Sequence, residues 1–93
     1  MYTQDRAETL GLQALAWLAG NEDLLPVFLG STGFSAAELM EHAGDPELLA
    51  AVLDFILMDD AWIVACCNAI GVAYDVPRQA RMALPGGQEA HWT

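Results

Sequence analysis

Helix-start and helix-stop signals alternate along this chain at intervals too short for any long element, and nothing else in it limits the fold as much. Thr3 or Asp5 opens a helix running to about Leu18, and Gly20 follows as its expected left-handed stop. Asn21 caps a second helix over about Glu22 to Ser31, with Glu22 and Asp23 in its first turn and Gly33 at its end. Pro26 must lie within the first turn or two of that helix, or bend it. Ser35-Ala-Ala-Glu38 is an S-x-x-E capping box that opens a third helix to about Ala43, before Gly44. Asp45-Pro46 opens a fourth, and Asp59 or Asp60 opens a fifth that stops at Gly71. Asp75 caps a short sixth, about Val76 to Leu84, with Pro77 in its first turn and Pro85-Gly86-Gly87 behind it.

Apolar residues repeat at helical spacing within these segments. Ala7, Leu10, Ala14, Trp17 and Leu18 share one face of the first helix, and Leu24, Leu25, Phe28 and Leu29 are the expected inner face of the second. The fourth carries Leu48, Leu49, Val52, Leu53, Phe55, Ile56 and Leu57 nearly all round, which marks a central helix. The fifth carries Trp62, Ile63, Cys66, Cys67 and Ile70. Strand signals are nearly absent, because β-branched residues are sparse and no long alternating run occurs. The predicted fold is therefore all-α: a compact orthogonal bundle of five to six short helices, with the fourth and fifth at its centre. One helical domain is expected over residues 1–86, and a flexible C-terminal tail over residues 87–93.

A further regularity suggests two pseudo-repeated three-helix halves. When Gly33 is laid on Gly71, Trp17 falls on Phe55, Leu18 on Ile56, and Asn21-Glu22 on Asp59-Asp60. Leu24 and Leu25 then meet Trp62 and Ile63, and Phe34 meets Val72. The competing explanation is that any two capped helices look alike, and the third helices align only after a two-residue shift.

Charge and hydrophobicity bound the function. The net charge is −10, and the cations are only Arg6, Arg78 and Arg81. Nucleic acid and anionic bilayers need cations to neutralise phosphate, so neither is an expected partner. The hydrophobic share is 55%, more than a small sphere can readily hide. The excess implies a contact patch for self-association or for a protein partner with a basic rim. The plainer explanation of the charge is solubility. The start of the chain has no basic, apolar leader pattern, and the apolar run from Ala61 to Cys67 is too short to span a bilayer. A cytoplasmic setting is the expectation.

No group stands apart for chemistry, and no catalytic, cofactor-binding or metal residues are assigned. Cys66-Cys67 are adjacent, lack C-x-x-C spacing, and read as small core hydrophobes. Glu38 and His42 have i,i+4 spacing, but without a repeated E-x-x-H they read as a solvated pair. Glu22-Asp23 and Asp59-Asp60 sit where helices begin, and capping explains both. Asp54 interrupts the greasiest helix; it marks a solvent face or, if buried, needs Arg6, Arg78 or Arg81. Arg78 and Arg81 are expected to answer Asp75 and nearby acids. Trp17, Phe55 and Trp62 read as core anchors, and Trp92 and His91 lie in the tail. No phosphate loop or nucleophile elbow occurs, and Ser31 and Ser35 sit at helix ends.

Several stretches together carry a resemblance. They are Leu15-Ala-Trp-Leu-Ala-Gly20 with the acidic cap and Leu-Leu after it, Thr32-Gly33-Phe34, Leu53-Asp-Phe-Ile-Leu57 with its following acid, and Ala83-Leu-Pro-Gly86. In order and spacing they resemble a domain-of-unknown-function family of short alphaproteobacterial proteins, over about Leu10 to Gly86. The resemblance implies a bacterial cytoplasmic helical protein and carries over no functional residues. The expected function is a non-enzymatic protein-interaction module without cofactor. The alternative is a small ligand-binding or accessory enzyme domain with a pocket between helices, using Asp54 or the acidic pairs. A third option places a metal on Glu38 and His42.

Overall fold

Thr3 sets the first turn: its hydroxyl accepts from the Arg6 N–H, and helix α1 runs Gln4–Ala19 behind it. The computed structural model describes residues 3–85. Among them five more helices follow: α2 Leu25–Thr32, α3 Ala36–Glu41, α4 Pro46–Ile56, α5 Asp60–Ile70 and α6 Val76–Met82, with no strand. The radius of gyration, 12.3 Å, matches the roughly 12 Å expected of a packed chain this long. The all-α bundle is as predicted. The proposed tail, with His91 and Trp92, lies outside the described residues.

α4 is the hub. Leu48, Leu49, Ala50, Val52, Leu53, Phe55 and Ile56 are all buried, so only a narrow stripe of this helix meets solvent. α1 lies against it and contributes Ala7, Leu10, Gly11, Ala14, Leu15 and Leu18, an i, i+3/i+4 stripe. α5 and α6 pack on both α1 and α4, adding Ile63, Cys66, Cys67, Pro77 and Ala80. α2 and α3 have no comparably broad pairing with another helix, and each buries one side chain, Phe28 and Leu39.

Local signals behave mostly as their chemistry dictates. Both bonds of the Ser35/Glu38 capping box form, at 3.1 and 2.9 Å. The Asp45 and Asp59 carboxylates accept from Glu47 N–H and Ala61 N–H. Gly33 and Gly71 close α2 and α5 at φ +81° and +77°, where a β-carbon is disfavoured. The equivalence of these two caps supports the pseudo-repeat locally, as do the fully buried pair Leu18 and Ile56. Packing does not follow it, because α5 pairs with α1 and α4 while α2 stays at the edge; the centre is α4 with α1, not α4 with α5 as expected, since α5 buries only Ile63, Cys66 and Cys67.

Four details differ from expectation. α2 starts at Leu25, not Glu22: with Pro26 at the fifth position, the ring would strike the Glu22 carbonyl, so the helix begins late enough to place proline in its first turn. Gly20 is right-handed, at φ −88°, because its N–H turns back to Ala16 and the next N–H, from Asn21, bonds Leu18. Asp75 makes no side-chain cap, since its carboxylate accepts instead from the Gln79 amide. α3 and α6 end at Glu41 and Met82, each two residues short of the expected end.

Candidate functional site

α2 has an unusual composition for a surface helix. Leu25-Pro-Val-Phe-Leu-Gly-Ser-Thr32 carries no charge. Phe28 alone is buried; Val27 is 48% exposed, and Leu24, Leu25 and Leu29 are partly exposed. The only polar side chains, Ser31 and Thr32, both donate back to the Phe28 carbonyl, at 3.2 and 2.7 Å. Their hydroxyl protons are thus held by the helix's own backbone, although both residues are exposed, and α2 presents an uncharged exterior.

An aromatic row pins this helix to the core. Phe28 meets Phe34 at 6.3 Å between ring centroids and Phe55 edge-on at 5.3 Å. Phe55 in turn stacks on Trp62 at 4.6 Å. The inner two rings are buried, whereas Phe34 and Trp62 at its ends are half-buried. Phe55 is thus the core anchor expected, while Trp17 and Trp62 lie at the margin.

An open cleft adjoins the start of α2. It is lined by Ala16, Trp17, Gly20, Asn21, Glu22 and Asp23. Asn21 shapes it: its carboxamide oxygen accepts from Asp23 N–H and Leu24 N–H, both at 3.0 Å, in an Asx turn. Glu22 and Asp23 therefore sit in the turn ahead of α2, exposed, rather than inside its first turn as predicted. A second concavity, of about 220 Å³, is lined by Arg6, Thr9, Leu10, Gln13 and Val72. Typical small-molecule pockets are roughly 300–1,000 Å³.

The other candidates separate from one another. Asp54 is exposed and pairs with Arg81, its Oδ1 2.6 Å from Nε. Arg81 thus answers an acid of α4 and not one of its own helix. Arg78 is exposed. Glu38 and His42 are both exposed, and Glu38 is engaged in its capping box. Among the described residues no three of His, Cys, Asp and Glu gather closely enough to hold a metal ion. Cys66 and Cys67 are buried free thiols, as predicted. Burial first, and the neighbouring Cys67 second, pushes Cys66 up to about 11; Cys67 is raised by burial and then by Asp75. Such thiols are poor nucleophiles at neutral pH.

The architecture defines a small all-α bundle with a peripheral, charge-free helix. The chain belongs to the family described as protein of unknown function (DUF3572), whose model matches residues 4–87. No curated protein and no solved structure matches it. No helix among the described residues is long and apolar enough to cross a membrane.

Proposed function

We propose that this chain is a non-enzymatic protein-interaction module of the bacterial cytoplasm, and that α2 is its contact surface. The observation carrying this reading is an uncharged surface helix with Val27 about half exposed and both hydroxyl protons bonded to its own backbone. An apolar helix face of this kind is a recurrent protein-docking element. The net charge of −10 supports the exclusion of nucleic acid and anionic bilayers as partners. Two unpaired thiols fit a reducing compartment. The functional unit is residues 1–86, and the family match over 4–87 supports that boundary. A non-enzymatic role is supported by the employment of Asp59 and Glu38 in caps and by the high thiol pKa of Cys66.

The test is a photo-reactive side chain at Val27, with Glu47 as the control position, irradiated in the native cell. A discrete adduct that forms from position 27 and not from 47 is expected. Equal labelling from both positions, or none from 27, refutes the reading.

A further inference from the structure

We propose that the occupant of this surface is a basic amphipathic segment of a partner protein, its apolar side chains lying on α2 and a lysine or arginine entering the Trp17 cleft. The inference rests on α2 being an interaction face and names what that face binds.

Three features of the cleft select a cation. Trp17 lines the opening and is half-buried, and an accessible indole there would attract ammonium and guanidinium groups. Glu22 and Asp23 line the same opening and meet no cation among the described residues. The cleft also lies at the C-terminal end of α1, a 16-residue helix with no base in its last turn, so the negative end of its dipole is not offset from within.

The surrounding sequence narrows the choice of partner. Every formally charged side chain from residue 7 to residue 77 is an acid. A second copy docked through the same face would bring no base to Glu22 and Asp23, because a two-fold contact pairs this face with itself and its formal charges are all acidic. Like charges so placed oppose association. A basic partner gains from the same arrangement, and exposed Val27, with the part of Leu24, Leu25 and Leu29 not packed on the core, gives it an apolar contact.

Fluorescence anisotropy on the full chain tests this with labelled helical peptides of leucine and lysine, about 14 residues long, and with versions carrying glutamine or glutamate for lysine. Four proteins are compared: wild type, Glu22→Gln with Asp23→Asn, Val27→Ser, and Glu8→Gln with Glu47→Gln, which removes the same charge elsewhere. At about 150 mM salt the lysine peptide should bind wild type. The cleft double variant and Val27→Ser should each weaken it about fivefold or more, roughly 1 kcal/mol. The distal double variant should change it less than twofold. Equal losses in both double variants would mean that net charge alone attracts the peptide, and would overturn the proposal. Tight, Val27-dependent binding of the glutamine peptide would overturn the cation cleft while leaving α2 as a docking face. Absence of binding by every peptide would overturn it as well, and the Val27 adduct would then decide separately whether α2 contacts any partner.

Discussion

Gly11 of α1 faces Leu49 of α4 at a distance that leaves no room for a methyl group: a β-carbon at position 11 would stand 2.8 Å from Leu49 Cβ. The obstructing atom is the root of a fully buried side chain, so it cannot swing aside, and the helices themselves must part. Overpacking of this kind costs about 1–3 kcal/mol, against a gain of about 1 kcal/mol in helix propensity. Gly11→Ala should therefore lower stability by about 1 kcal/mol in urea denaturation. Gly30→Ala, with nothing within 4 Å, should raise it by about 0.4–1 kcal/mol. Stabilisation by Gly11→Ala would disprove the close α1–α4 seam.

Phe28 is the one buried side chain of α2, and its ring touches both Phe34 and Phe55. Phe28→Ala should cost about 3–5 kcal/mol. It should also speed amide exchange in residues 25–32 more than in α4, because Phe28 is the only fully buried anchor of α2, and Leu24, Leu25 and Leu29 pack against the core only in part. Val27→Ser, one residue away and half exposed, should stay within about 0.5 kcal/mol of wild type. Equal exchange rates in the two helices of Phe28→Ala would show that α2 is held by something other than this ring.

These contrasts mark where sequence reasoning reached and where it stopped. The Ser35 box, the Asp45-Pro46 start and the glycine stops at 33 and 71 were legible because each partner lies within a few residues. The burial of α4 was legible from its all-round apolar pattern. The surface position of α2 was not, because Leu24, Leu25 and Leu29 look the same in sequence whether buried or half-exposed. Only the arrangement of α1, α4, α5 and α6 decides that α2 is left at the edge. The cleft escaped for a related reason: Trp17 and Glu22–Asp23 belong to two elements, and the Asx turn at Asn21 that joins them looked like a helix cap. Pro26 disfavours a continuous helix from Glu22, and a single turn closed by Leu25 N–H on the Asn21 carbonyl leaves both acids ahead of α2 and lining the cleft.

Arg81 reaches back across 27 residues to Asp54, a pairing no local pattern announces. It also donates from Nη1 to the Pro85 carbonyl, tying the end of α6 to α4. Asp54 is 57% exposed and Arg81 18%, so water and salt screen the pair substantially. Asp54→Asn should therefore cost only about 0.2–1 kcal/mol. A double-mutant cycle with Arg81→Met should give a coupling energy that shrinks when salt is raised to about 1 M. A coupling above about 2 kcal/mol, or one indifferent to salt, would contradict the exposed geometry.

Cys66 gives the fold an alkaline limit. Burial holds its thiol neutral to about 11, from an ordinary value of 9.0, and Cys67 is raised as well. Between those two pH values the folded chain keeps protons that the unfolded chain releases, so unfolding becomes progressively easier. The stabilisation is complete below about pH 9 and is lost as pH rises toward 11. The urea midpoint of the wild type should accordingly fall between these limits more steeply than that of Cys66→Ala, whose own slope reports the remaining groups. In parallel, an aromatic disulfide reagent at pH 8 should label neither thiol in the native chain and both in urea. Rapid native labelling, or identical pH slopes in the two proteins, would place these sulfurs at the surface and not in the core.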